Sequence, residues 1–135
     1  IKQKMEMAEK IVSVPLMGTV PAGGPVLAQE NILGTFEVGK GLMRMENGAF
    51  LLRLTGNSMI GAGIYEGDMV LVAPEHQPKA GDIVVALVDG SSTVKRYIQE
   101  KGKAYLKAEN PEYEDIYPEN KLEIQGVVVG LIRNY

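Results

Sequence analysis

The feature that most constrains the fold of this chain is a series of short apolar and β-branched runs, each bounded by glycine or proline. In chain order from Ser13 the runs read VPLMGTV, TFEV, AFLLRL, DMVLVA, DIVVALV, STVKRYIQ, AYLKAE and LEIQGVVVGLIR. Gly67-Asp68, Gly81-Asp82 and Asp89-Gly90 precede or separate such runs, where turns need a permissive backbone. The pattern predicts an all-β fold with at most short helices, in which hairpins form a compact, highly twisted sheet that is closed or partly closed.

The first twelve residues, IKQKMEMAEKIV, differ from the rest in carrying mixed charge with only weak helical spacing. We predict that residues 1–12 form a linker and residues 13–135 a single domain. A chain of 135 residues with 45% apolar content can bury a core without disulfides or metals. Because the chain begins with Ile1 rather than methionine, we expect it to be a piece of a longer protein.

The composition excludes several kinds of chemistry. The chain has no cysteine and a single histidine, His76, which argues against thiol catalysis, cysteine-based zinc sites and multi-histidine metal centres. We therefore expect no cofactor and no metal. The net charge of -3 lacks the basic excess that phosphate contacts require, so this part should bind DNA poorly. No apolar run approaches the roughly 20 residues that span a bilayer, and we expect a cytoplasmic protein without membrane contact.

Two segments do not read as strands. PAGGP, at residues 21–25, concentrates proline and small residues, which is typical of an exposed, extendable loop that a protease can accept. GNSMIGAGIYEGD, at residues 56–68, is too rich in glycine for a regular element and sets Ser58 directly after Gly56 and Asn57. Such a turn can present a serine hydroxyl and nearby backbone N–H groups to a cleft.

A serine nucleophile needs a base, and the residues offer two. His76 lies in a polar loop-like segment, where a lone histidine is usually solvated. Lys95, in STVKRYIQ, is the other, since Ser-Lys pairs are a known variant of the catalytic triad. On a strand, Lys95 would face the side opposite to Val94 and Arg96. The pattern alone nevertheless favours an ordinary solvated strand lysine.

Three longer segments resemble the LexA and UmuD family of self-cleaving proteins. LTGNSMIGAGIYEGDMVLV is similar to the family's nucleophile segment, in which G-x-S-M is followed by a G-I-x-x-G-D turn. GDIVVALVDGSSTVKRY resembles its lysine segment, and VPLMGTVPAGGPVLAQENILGTFEV resembles its cleavage region, where an Ala-Gly bond is cut. AENPEYEDI and GVVVGLIR also match, so the resemblance covers nearly everything after residue 13 and implies the fold of the LexA C-terminal and signal-peptidase-like type.

The resemblance implies a role for individual residues. Ser58 becomes the nucleophile, Lys95 its general base and Ala22-Gly23 the scissile peptide. The backbone N–H groups of Asn57 and Ser58 become candidate oxyanion donors. Thr93 shares the strand face of Lys95, so its hydroxyl either orients the amine or belongs to an ordinary β-forming residue.

Neighbouring residues receive lesser roles. Met59 is expected to pack in the interior, and Arg96 to be a surface charge. Pro21 stands where related sequences often carry alanine, and Gly24 where a bulkier residue is common. Both differences affect how fast the loop would reach the site, and neither removes the Ala-Gly pair.

The resemblance also implies a biological role. The chain would be the C-terminal domain of a LexA-type repressor of the DNA-damage response, whose self-cleavage is stimulated by the RecA filament on single-stranded DNA. It would form a homodimer and meet operator DNA only through an upstream domain. The strand around residues 126–132 is either the dimer surface or a buried core strand. Closure of the cleavage loop over Lys95 would remove water and favour its neutral amine.

Three other functions stay open at this point. A UmuD-like subunit of a translesion polymerase shares the Ser-Lys pair, but PAGGPVLAQENI looks closer to LexA. A signal-peptidase-like enzyme pairs the same groups and would need a membrane anchor. A non-catalytic β-rich oligomerisation module would make the serine and the lysine incidental.

Overall fold

The structure, a computed structural model, describes residues 11–18, 29–39, 48–74, 76–119 and 122–135. Eight strands and two short 3-10 turns make up its regular elements. The strands are β1 (Ile11–Met17), β2 (Ile32–Gly39), β3 (Phe50–Arg53), β4 (Met69–Ala73), β5 (Ile83–Val88), β6 (Ser91–Glu100), β7 (Lys103–Lys107) and β8 (Glu123–Ile132). The 3-10 turns are Gln29–Asn31 and Ile60–Ala62. The predicted all-β fold with only short helical turns is confirmed.

The strands form one sheet in the order β2-β1-β3-β4-β8-β5-β6-β7. Among the described strands, only β1 and β3 pair in parallel, through Leu16 with Leu51 and Met17 with Leu52. The described sheet is open, with β2 and β7 at its two edges. The sequence pattern had predicted a sheet that is closed or partly closed. Part of the β7 edge is occupied by a later segment, because Leu106 and Ile116 exchange both backbone hydrogen bonds, at 3.0 and 2.8 Å.

The first strand starts earlier than the sequence pattern indicates. Ile11 pairs with Gly39 and Val12 with Val38, so β1 begins two residues before the predicted domain start at Ser13. These two residues belong to the sheet because their backbone groups continue the β1–β2 ladder. Residues 1–10 of the predicted linker lie outside the described residues.

The centre of the sheet is buried on both faces. In β3 and β4 neighbouring residues point to opposite sides, yet Phe50, Leu51, Val70 and Leu71 are all buried. Phe50 and Val70 belong to one apolar cluster, while Leu51 and Leu71 pack in another with Val14 and Leu16 of β1. A strand covered on both sides reads as a continuous apolar run instead of an alternating one. This explains why FLLR and MVLVA carry so few polar residues.

Gly126 of β8 provides a test of this packing. A Cβ built on Gly126 would collide with a methyl group of Val72 and lie 3.1 Å from the Ala73 carbonyl oxygen. We expect Gly126→Ala to lower the free energy of unfolding by about 1–3 kcal/mol, because overpacking forces side chains and backbone to shift. Gly34 in β2 has nothing within 4 Å of its Cβ position, so Gly34→Ala serves as the control. It should leave stability unchanged or raise it by up to about 1 kcal/mol in urea unfolding.

The two halves of β8 differ in burial, which bears on the two interpretations of this strand. Gly126 and Val127 are buried in the sheet, whereas Val129 is 38% and Leu131 41% exposed. The first half is therefore core, and the second half leaves an alternating apolar face in solvent. In the part of the chain that the structure describes, no helix is long and apolar enough to cross a membrane.

Candidate active site

The nucleophile segment is an excursion from the β3–β4 hairpin. Two backbone hydrogen bonds join its two ends. The Leu54 N–H donates to the Asp68 carbonyl at 2.8 Å, and the Leu54 carbonyl accepts from the Gly67 N–H at 2.9 Å. Gly56 has a φ of +80°, a region that L side chains rarely adopt, which allows the chain to turn just before Ser58. Met59 is fully buried and anchors the turn in the core, as its predicted packing role requires.

Ser58 and Lys95 meet although 37 residues separate them in the sequence. Lys95 lies in the middle of β6, opposite Val84 of β5, and its Nζ is 3.0 Å from the Ser58 Oγ. The serine is 8% and the lysine 7% exposed. A long charged side chain is rarely so buried, and the solvated strand lysine favoured by the pattern alone is not what the structure contains.

The amine of Lys95 has two further partners. Its Nζ lies 2.7 Å from the Thr93 Oγ1 and 3.2 Å from the Val94 carbonyl oxygen. A neutral amine has two N–H donors and one lone pair. It can therefore donate to Thr93 and Val94 and accept the Ser58 hydroxyl proton at the same time. This arrangement gives the lone pair the direction that a general base needs.

Burial lowers the pKa of Lys95 below its ordinary value of 10.5. The cause is desolvation, which penalises the charged ammonium more than the neutral amine. The three hydrogen-bond partners in the described residues are a hydroxyl, a second hydroxyl and a carbonyl, none of which carries a negative charge that would hold the proton. The surroundings of Lys95 thus favour the form that can accept a proton.

A cleft of about 180 Å³ opens beside this pair. It is lined by residues 52–58, by residues 92–95 of β6 and by Tyr113. Within the described residues, no group of three or more acidic or histidine side chains could hold a metal ion.

Other residues named from the sequence lie elsewhere. His76 is exposed in the loop between β4 and β5, apart from the cleft lining. Arg96 is not a simple surface charge, since its Nε donates to Glu109 at 2.6 Å and its Nη1 to the Gly81 carbonyl at 2.5 Å. Ala22 and Gly23 lie outside the described residues.

Sequence reasoning did not identify the contacts that hold Asn57. The Asn110 side-chain amide donates to the Asn57 carbonyl at 3.0 Å, and the Tyr113 hydroxyl donates to the Asn57 Oδ1 at 2.6 Å. Both residues belong to AENPEYEDI, which the sequence marked only as part of the family resemblance. A polar pair such as Asn110 and Tyr113 in a loop carries no periodic signal, so single-sequence reasoning had nothing to connect it with residue 57.

An ion pair fixes the far side of the nucleophile segment. Asp68, which is 2% exposed, accepts two hydrogen bonds from Arg133, at 2.8 and 2.6 Å, and one from the Tyr65 N–H at 2.7 Å. Arg133 also donates to the Gly63 carbonyl at 2.7 Å. The Arg133 hydrogen bonds to Asp68, followed by the one from the Tyr65 N–H, are the largest causes that lower the pKa of Asp68 from 3.8 to about 2.

Acid should therefore remove a stabilising contribution that depends on Asp68. The folded chain keeps this carboxylate ionised where the unfolded chain is already protonated, so the contribution is complete above pH 3.8 and is lost as pH falls towards about 2. We expect the stability difference between the wild type and Asp68→Asn to be full at pH 5 and to narrow towards pH 2. Urea unfolding at a series of pH values measures it. Asp89→Asn, at an exposed turn, is the control, and a difference that is independent of pH would contradict this role for Asp68.

Comparison with known proteins identifies the family of this chain. The Peptidase S24-like family model matches residues 15–129. The chain belongs to the Peptidase S24-like family. This membership supports a serine peptidase kind of chemistry.

Curated relatives of this S24-like chain are named LexA repressor. One from Clostridium perfringens is 39% identical over 127 residues, covering 94% of this chain and 62% of the relative. One from Desulfitobacterium hafniense is 44% identical over 125 residues, covering 93% and 60%. One from Verrucomicrobium spinosum is 40% identical over 131 residues, covering 96% and 64%. The S24-like chain spans about three fifths of the length of these relatives.

Proposed function

We propose that this chain is the self-cleaving and dimer-forming part of a LexA-type transcriptional repressor, in which Ser58 and Lys95 cut the Ala22-Gly23 bond. The observation that carries the proposal is the 3.0 Å contact between the Lys95 Nζ and the Ser58 Oγ, two buried residues that line an open cleft. The relatives' name supports a repressor over a polymerase subunit. The buried, hydrogen-bonded amine argues against an incidental lysine in an inert oligomerisation module.

The chemistry follows from the groups present. The neutral Lys95 amine takes the Ser58 proton as the Oγ attacks the Ala22 carbonyl carbon. The tetrahedral oxyanion is stabilised by the backbone N–H groups of Asn57 and Ser58. The C–N bond then breaks, and the Lys95 ammonium gives its proton to the departing Gly23 amine. Water, activated by the same amine, hydrolyses the Ala22 ester, which restores Ser58 and releases a carboxylate.

Regulation follows if the cleavage loop exchanges between an open state and a state that is seated in the cleft. The cleavage rate is then set by the population of the seated state. A partner that binds this state more tightly accelerates cleavage without adding a catalytic group. We propose the RecA filament on single-stranded DNA for this partner. Cleavage then separates an upstream operator-binding domain from the paired C-terminal parts. Repression is lost because two linked operator-binding domains bind DNA far more tightly than one.

Pairing of two subunits is proposed for the exposed half of β8. Val129 and Leu131 present apolar side chains there, and their burial against the same residues of a second copy would form a self-complementary contact. Sedimentation of Leu131→Glu against the wild type tests this part, with a shift towards monomer as the expected result. An unchanged dimer would place the contact elsewhere.

Self-cleavage can be tested directly on the purified chain. Incubation at alkaline pH should yield two products whose masses correspond to residues 1–22 and 23–135, because a rise in pH deprotonates Lys95. Ser58→Ala, which keeps the fold and removes the nucleophile, should stay intact under the same conditions. A wild-type chain that stays intact, or a Ser58→Ala chain that is cut at the same bond, would refute the proposed function.

A further inference from the structure

The segment that follows β7 packs directly against the turn that carries the nucleophile. The Gly61 N–H donates to the Glu109 carbonyl at 2.8 Å, and a Cβ on Gly61 would lie only 2.6 Å from that oxygen. The Glu109 carboxylate in turn accepts a hydrogen bond from Arg96, which follows Lys95 in the chain. We call residues 108–113 the support loop. It joins the strand of Lys95 to the turn of Ser58.

Asn110 is the buried centre of the support loop. It is 6% exposed, and both ends of its amide are used. Its Oδ1 accepts the Glu112 N–H at 3.0 Å, while its Nδ2 donates to the Asn57 carbonyl at 3.0 Å. The Tyr113 N–H also donates to the Asn110 carbonyl, at 3.1 Å. Hydrogen bonds within the support loop thus hold its conformation, and the same bonds orient the Asn110 amide towards Asn57.

The bond to the Asn57 carbonyl determines where the next N–H group points. The Asn57-Ser58 peptide is planar and trans, so its C=O and N–H are directed oppositely. Asn110 and Gly61 line a second surface pocket, which shares Tyr113 with the cleft, whereas Asn57 and Ser58 line only the cleft that contains Lys95. Because the Asn110 amide holds the carbonyl, the Ser58 N–H is directed away from Asn110, and we expect this direction to face the cleft that Ser58 lines. Within the described part of the chain, the backbone hydrogen bonds in this turn come from residues 61–64 and leave the Ser58 N–H unused.

We infer that Asn110 is a positioning residue, whose side-chain amide fixes the Asn57-Ser58 peptide so that the Ser58 N–H can receive the oxyanion. This inference rests on the proposed function, since it assumes that Ser58 attacks a carbonyl. Asn110 itself touches no reacting atom. Its effect is confined to the direction of a backbone donor, and preorganised donors of this kind account for roughly a hundredfold to a thousandfold in rate.

Variants of the support loop separate positioning from mere stability. Asn110→Asp keeps an acceptor for the Glu112 N–H and loses the donor to Asn57, whereas Asn110→Ala loses both without adding charge. Asn134→Asp and Asn134→Ala are the matched controls, because they make the same changes at an exposed asparagine that lines neither the cleft nor the support loop. For each variant, the first-order rate of self-cleavage is measured against pH, together with urea unfolding in the same buffers.

We expect both Asn110 variants to lower the high-pH limiting rate by roughly 10- to 100-fold. In Asn110→Ala the pH at which the rate levels off should stay that of the wild type, because the lysine is not altered. The Asn134 variants should change the limiting rate by less than about threefold, because the Asn110 bond to Asn57 remains.

Three outcomes would overturn the inference while leaving the proposed function in place. They are limiting rates within about threefold of the wild type, a fall fully explained by the unfolded fraction, and a shift of the levelling pH at an unchanged limiting rate. A wild-type chain that does not cleave, or a Ser58→Ala chain that does, would instead refute the proposed function and this inference with it.

Discussion

Replacement of Lys95 by methionine should lower the rate of self-cleavage by about 10²- to 10⁴-fold, the usual contribution of a general base. Methionine keeps an unbranched side chain of similar length in the same buried space, so the fold should persist. The Ser58 hydroxyl would then have no group to take its proton. The rate is measured from the mass-resolved loss of the intact chain at alkaline pH.

The same substitution should raise the free energy of unfolding at neutral pH. Burial lowers the pKa of Lys95, so the folded chain holds a proton on this amine less readily than the unfolded chain does. The free energy of unfolding therefore rises with pH between the folded pKa of Lys95 and 10.5. The destabilisation caused by burying Lys95 is complete below the folded pKa. The gain from Lys95→Met should be largest at neutral pH and should shrink as pH approaches 10.5.

Lys103→Met is the matched control for both measurements. Lys103 is exposed at the start of β7, so its replacement removes the same charge from solvent instead of from the cleft. We expect little change in either the cleavage rate or the unfolding free energy. A Lys95→Met chain that cleaves like the wild type, or that is markedly less stable, would show that this lysine is not a desolvated base.

The rate of wild-type self-cleavage should rise about tenfold for each unit of pH and level off below pH 10.5. Below the folded pKa of Lys95, the fraction of neutral amine increases tenfold per unit, and the reaction needs that neutral form. Above it the amine is already neutral and further alkali adds nothing. Circular dichroism at each pH confines the comparison to folded chain. A rate that shows no rise with pH anywhere below 10.5 would exclude an amine as the base.

Much of the candidate site could be predicted because its residues carry local signals. The glycine-rich turn around Ser58 interrupts a run of strands, and the alternation along STVKRYIQ separates Lys95 from its neighbours. Thr93, two residues earlier, is predicted on the same face and lies 2.7 Å from the amine. The 3.0 Å contact between Ser58 and Lys95 was predictable only from the family resemblance, because alternation alone does not say which strands are neighbours.

The contacts that were not predicted are those that join distant parts of the chain. Asn110 bonds to a residue 53 positions earlier, and Arg133 to Asp68, 65 positions earlier. Neither partner has a periodic pattern, and loops of this kind are read from sequence only as turns. The parallel pairing of β1 with β3 is equally non-local. The start of β1 at Ile11 was missed because Ile11 and Val12 follow a charged stretch and gain their strand pairing from β2.

The protonation state of the Lys95 amine decides whether a neutral lysine can activate Ser58. It can be followed by nitrogen NMR of the ¹⁵N-lysine-labelled Ser58→Ala chain, which should not cleave itself. The Lys95 signal is assigned by its absence in the Lys95→Met spectrum. We expect this amine to titrate below 10.5, at the pH where the wild-type cleavage rate levels off. An amine that titrates at or above 10.5, or a levelling pH unrelated to its titration, would contradict the claim that a buried neutral lysine activates Ser58.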